Sequence, residues 1–211
     1  MVKTAEKAKV QRRYSPKIRR SMILDAAAEM VEKEGISQVS MERIAKRAEI
    51  SKSLIYKYFD SSTVILRELL DRELITLRKA QFSAAENART FEDMVRGVTK
   101  VYLRYIEERG LLIERLQSDP AISDLTDPAT FDREVAVEYF AKIVHDNFDL
   151  PIETARTVTD ISFGVPVSAG SYLLRQKVDM AQLEDITVSM IIGTINGVRD
   201  DYLVRKRALK R

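Results

Sequence analysis

The chain has 211 residues, 45% hydrophobic and 32% charged, which is ordinary globular composition and long enough for a sizeable core in one domain or two. Only 7 Gly and 5 Pro are present, which disfavours a many-stranded all-β fold, and the lack of any Cys excludes disulfides, thiolate zinc sites and cysteine nucleophiles. The net charge of +3 hides an asymmetry, because residues 1–60 carry 14 Lys/Arg against 8 Asp/Glu and the remainder 21 against 24. No apolar run reaches membrane-span length, and the basic, polar N-terminus lacks the apolar core of a signal peptide. A cytoplasmic protein with no membrane partner is expected.

Residues 1–15 show no apolar periodicity and read as a basic flexible arm. Seven cations and no acid lie between Lys7 and Leu24, Arg12 and Arg13 among them. Such a tail can simply aid solubility, but just before a DNA-binding unit it suits tracking phosphates or entering a minor groove. Ser15-Pro16 opens a first helix that runs to about Glu34 and stops at Gly35, with Ile23, Ala27, Met30 and Val31 as its buried stripe.

Ser40 caps a second, short helix in which Met41, Ile44, Ala45 and Ala48 recur at helical spacing and Arg43, Lys46 and Arg47 take the wet side. Glu49-Ile50 breaks the period and Ser51 caps a third. There Leu54 and Ile55 point inward, while Lys52, Ser53, Tyr56 and Lys57 project outward. Lys52 can reach guanine acceptors, and Tyr56 a phosphate or a thymine methyl. Two helices joined by a tight turn, the second exposing such residues, form a helix-turn-helix.

The segment Ile44 to Ser61, IAKRAEISKSLIYKYFDS, is similar to the signature of the tetracycline-repressor (TetR) family of bacterial transcription regulators. The Ile-Ala pair, the Ser opening the reading helix and the Leu-Ile-Tyr-x-Tyr-Phe run stand at that family's spacing. The resemblance implies base-edge contacts from Lys52, Ser53 and Tyr56 and phosphate contacts from Ser40, Ser51, Lys57 and Tyr58, with Arg43 beside them on the wet face. It also implies a three-helix DNA-binding domain over residues 16–61 and a helical effector-binding and dimerisation domain over 62–211. Two positions depart from the pattern. Glu49 stands where the family has Gly, at a cost on the order of 1 kcal/mol if φ is positive there, and Ser62 stands where it has Lys.

Ser61-Ser62 starts a long helix to about Ala88, the expected link between the two parts. Thr90 caps the next, which Gly110 should end near Arg109, leaving Leu111 to Gln117 as a short separate helix. Ser118 to Pro128 reads as a loop with two Asp-Pro steps. Asp127-Pro128 then opens a helix to about Phe148. The one histidine, His145, shares a polar face with Glu134, Glu138 and Lys142 and is expected to be solvated or salt-bridging. Helices over 151–176 and 179–205 follow, with Pro166 expected to kink or locally unwind the former. The stripe of small and apolar residues on one, and the nearly all-round apolar surface of the other, point to a homodimer through these helices.

The expected function is a ligand-responsive homodimeric repressor, released from a palindromic DNA operator by a small hydrophobic or amphipathic effector. The effector pocket is expected among residues 91–176, with Met94, Tyr102, Tyr105, Leu116, Phe131, Phe140, Phe163 and Tyr172 as candidate lining. No cofactor is expected, and no metal, because no His and acidic cluster is in view. A rival reading, motivated by Glu49 and Ser62, is a helical dimer that binds a ligand or partner without sequence-specific DNA reading. With one His, no Cys, no Gly-rich phosphate loop and no Ser-His-acid set, an enzyme is disfavoured.

Overall fold

The structure, a computed structural model, describes residues 14–123 and 128–208, the stretch 128–132 by its backbone alone. Among the described residues there are helices and turns and no strand. Arg12, Arg13 and Asp127 lie outside them, as does the side chain of Phe131. The chain divides into two compact units, residues 1–65 and 66–211.

The first unit holds α1 (Pro16–Glu34), a 3₁₀ turn (Ile36–Gln38), α2 (Met41–Arg47), α3 (Lys52–Ile55) and the first residues of α4 (Ser62–Glu86). Each helix opens on a serine. Ser15, Ser40, Ser51 and Ser61 accept from the N–H groups of Ile18, Arg43, Leu54 and Val64 at 3.2 to 3.4 Å. Each such cap is worth about 1 kcal/mol. The predicted α1 stripe of Ile23, Ala27, Met30 and Val31 is buried, together with Ile44, Ile55 and Phe59, and α2 packs on both α1 and α3. Below this core Glu34 of α1 pairs with Arg43 and, at 2.6 Å, with Arg47 of α2.

The second unit continues with α5 (Phe91–Gln117), α6 (Pro120–Ser123), α7 (Pro128–Phe148), α8 (Ile152–Ser162), α9 (Gly164–Arg175) and α10 (Met180–Ala208). Two expectations change here. Gly110 does not end a helix, since α5 runs straight through it. A Cβ at Gly110 would stand 2.9 Å from Ile106 Cγ2 and 3.0 Å from Leu174 Cδ2. The glycine is there so that α9 can approach α5 closely, and that contact outweighs a helix-interior cost of about 1 kcal/mol. Second, the segment 151–176 breaks fully at Phe163. Pro166 is then the third residue of α9, where a helix has no use for the missing N–H.

The expected loop from Ser118 holds the single turn α6, whose Ala121 carbonyl accepts from Arg67 Nε at 2.9 Å. His145 closes the α7–α8 turn, its Nδ1 lying 2.5 Å from the Leu150 carbonyl, next to Asp149 at φ 52°. α10 packs on α5, α8 and α9 through Leu183, Val188 and Ile195. Its other side is uncovered in the single chain, with Ile186 50% and Met190 55% exposed, and Ile161 on α8 67%. Among the described residues no helix is long and apolar enough to cross a membrane.

Candidate DNA-reading helix and effector cavity

α3 is a single turn, and the chain leaves it by tighter bonds, Lys57 N–H to the Leu54 carbonyl at 3.1 Å and Tyr58 N–H to that of Ile55 at 3.0 Å. This 3₁₀-type ending puts Tyr56 and Lys57 outward, Tyr58 half in and Phe59 into the core. Arg20 of α1 fixes it, donating to the Tyr58 carbonyl at 3.0 Å with its guanidinium 4.2 Å above the Phe59 ring. α2 ends in a Schellman turn, in which Ile50 N–H reaches the Ala45 carbonyl and Glu49 N–H that of Lys46. Glu49 sits at the left-handed position of that turn, φ 52°, where glycine is at ease.

Ser51, Lys52, Ser53, Tyr56 and Lys57 thus share one exposed surface, with Ser51 and Ser53 hydroxyls 3.1 Å apart. Lys52 hydrogen-bonds the exposed carboxylate of Glu42 on α2. That bond holds the Glu42 carboxyl below its usual range and pushes the Lys52 ammonium up. Ser40 is spent on capping, half-buried. Arg43 turns to Glu34 and to the side chain and carbonyl of Gln38, at 2.8 and 2.9 Å, so its guanidinium braces α2 against the turn before it. The sequence gives no sign of the Glu42 or Glu34 partners, since they come from helices that only the fold brings alongside.

In the second unit a cavity with about 590 Å³ of atom-free space, counting the part open to solvent, lies among six helices. α5 gives one wall with Phe91, Met94, Val98 and Tyr102, α7 gives Phe140 and Val144, and α10 gives Ile191 and Ile195. Gln81 of α4 closes one side. Thr159 and Ser162 of α8 and Phe163 and Pro166 at the helix break form the last wall. Phe140 and Phe163 meet edge to face at 5.9 Å. Among the described residues no charged side chain lines it. Burial pushes the Tyr102 hydroxyl up to about 12, so it stays protonated.

Of the eight candidates for lining, Met94, Tyr102, Phe140 and Phe163 meet in this cavity. Tyr105 faces another way, donating to Glu73 Oε2 at 2.8 Å, where Arg109 Nε also arrives at 3.0 Å. Burial works to raise the Glu73 carboxyl, but the hydrogen bonds from Arg109 and Tyr105 outweigh it and hold it below its ordinary value. Burial, then Glu73, push the Tyr105 hydroxyl well up. Leu116 is wholly buried in the core away from the cavity, Tyr172 is exposed, and the Phe131 side chain is not described. Sequence reasoning missed Thr159 and Ser162, which it placed in a stripe assigned to association although their segment lay within the expected pocket range, and it missed the α10 wall, which it assigned to association alone. Two hydroxyls three residues apart and four from Pro166 were the available signal.

Residues 23–69 match the sequence profile of the bacterial regulatory proteins of the tetR family. Over 182 residues the chain is 25% identical to the HTH-type transcriptional repressor KstR of Mycobacterium tuberculosis, covering 83% of this chain and 81% of that one. KstR of Rhodococcus jostii is likewise 25% identical, over 84% of each chain. Among solved structures, a TetR-like transcriptional regulator from Rhodococcus sp. RHA1 superposes with a TM-score of 0.68 at 17% identity, over 88% of this chain and 100% of that one. The fatty acid degradation regulator FadR from Bacillus halodurans does so at 0.67 and 16%, over 85% and 96%. The capped helix-turn-helix lies inside the matched residues, so residues 23–69 form a DNA-binding domain of the tetR-family type, and a helical unit follows it in the chain.

Proposed function

We propose that this regulator is a homodimeric repressor that a hydrophobic or amphipathic small molecule releases from a palindromic operator. The observation that carries the reading is the uncharged, largely apolar cavity between helices of the second unit, open in part to solvent. The relatives named as transcriptional repressors, and a structural neighbour named as a fatty acid degradation regulator, support the direction of control and the apolar class of effector. The uncovered apolar residues of α8 and α10, Ile161, Ile186 and Met190, support association of two copies through these helices. Two reading heads, each offering Lys52, Ser53 and Tyr56 to base edges and Ser40, Ser51, Lys57 and Tyr58 to phosphates, would enter major grooves about 34–36 Å apart. Arg12 and Arg13 would follow the backbone nearby. The effector acts by favouring one conformation, and the release it achieves is limited by its preference for that conformation.

Selection from random duplexes at two salt concentrations tests this. Enrichment of a palindrome, bound by two copies and released by an apolar ligand, is the expected result. Weak, sequence-blind and steeply salt-dependent binding would overturn it and leave a ligand-binding helical dimer whose basic arm acts alone.

A further inference from the structure

Two residues of the cavity wall carry polar groups that its apolar character does not explain. Thr159 and Ser162 are among the lining residues, each 94% buried, and neither side-chain oxygen has a hydrogen-bond partner among the described residues. A helical Thr or Ser ordinarily satisfies itself on the carbonyl four residues back, as Thr157, Thr187 and Thr194 do in this chain at 2.7 to 2.8 Å. These two do not. They lie three apart, hence on one face of α8, at the end where the helix breaks. At that break Pro166 has no N–H to offer the Ser162 carbonyl. Buried polar groups without partners are rare enough to need a reason.

We propose that Thr159 and Ser162 anchor the polar head of an uncharged effector, an alcohol, phenol or ketone on an otherwise apolar body. This rests on the cavity being the effector site. A hydroxyl head can accept from one side chain and donate to the other, and a ketone oxygen can accept from both. A carboxylate or ammonium head finds no countercharge among the described lining residues, and burying it unpaired is strongly unfavourable. Tyr102, protonated and facing the same space from α5, adds a third donor without adding charge.

The test uses rigid probes of one shape, naphthalene, naphthol, naphthyl methyl ketone and naphthoate, titrated into the full-length protein by calorimetry near neutral pH. Naphthol and the ketone should bind, and bind at least about tenfold more tightly than naphthoate. In the Thr159→Val, Ser162→Ala double variant, naphthol should lose about five- to tenfold while naphthalene keeps its affinity. Thr159→Ser, which keeps the hydroxyl, should stay within about twofold of the parent, and an unchanged naphthalene affinity shows that the variants keep the cavity. Naphthoate binding as tightly as naphthol, equal losses for naphthol and naphthalene, or no binding of any probe would overturn the proposal. The effector reading fails separately. If naphthol binds through the two hydroxyls but leaves the protein on its selected duplex, the anchor stands and release by this cavity does not.

Discussion

The reading surface and the cavity hold their polar groups in opposite states. On α2 and α3 the groups are in water and yet paired with each other, Lys52 with Glu42 and Ser51 with Ser53. In the cavity Thr159 and Ser162 are out of water and unpaired. An exposed ion pair is worth about 0–1 kcal/mol, so a phosphate or base edge can take Lys52 from Glu42 at small cost. A buried hydroxyl without a partner costs about 1–3 kcal/mol, so a ligand that supplies one gains affinity. Both arrangements leave a binding surface ready, one because its internal bonds are weak and the other because they are missing.

Glu73 is the case that tests the comparison hardest, because it is 6% exposed and fully engaged by Tyr105, Arg109 and Arg72. Glu73→Leu should leave Arg109 beside an apolar site and lower stability by about 3 kcal/mol in urea unfolding. Its carboxyl titrates below its ordinary 4.5 in the folded chain. The ionised form is therefore favoured by folding, and its contribution is full above about pH 4.5 and is lost as pH falls through the lowered folded value. The parent should show that acid loss, and Glu73→Leu should show less of it. Next in size, Lys52→Ala with Tyr56→Ala should weaken the selected operator by about 2 kcal/mol, roughly thirtyfold, and flatten base preference while sequence-blind binding persists, as fluorescence anisotropy would read. If operator binding is unchanged, α3 does not read sequence.

Thr159→Val with Ser162→Ala should raise the melting stability of the ligand-free protein by about 1–2 kcal/mol, the reverse of the usual effect of a core substitution. A loss of that size would mean the hydroxyls are already satisfied. Glu49→Gly should stabilise the first unit by about 1 kcal/mol, since it relieves the left-handed φ of 52°. The smallest effect is expected of Glu42→Gln. It frees Lys52 and removes a negative charge from the reading face, so operator affinity should rise by about two- to fivefold, and an unchanged affinity would show that the pair is not broken on binding.

What could be read directly from the residues was what short-range chemistry decides. The four capping serines, the stop at Gly35 and the i, i+3, i+4 stripes act within one or two turns, so the helix-turn-helix and its exposed Lys52, Ser53 and Tyr56 were legible before any fold. The cavity was half legible. Tyr102 and Tyr105 are one turn apart on α5 and alike in sequence, yet one faces the cavity and the other Glu73. The difference lies in which neighbour α5 meets at each position, and that follows from the close approach of α9 at Gly110 and Gly170, where a Cβ would crowd Leu174 or Tyr102. Gly110 therefore looked like a helix stop and serves as a contact. Likewise α10 was apolar enough to be assigned to association alone, whereas it has one side for the cavity and another uncovered, as α8 does. The helices, their caps and the chemistry of the reading surface follow from near neighbours along the chain. Which polar groups find partners depends on residues distant in sequence and adjacent in space, so the partners of Lys52, Glu73 and Tyr105, and the lack of any for the Thr159 and Ser162 hydroxyls among the described residues, emerge only on packing.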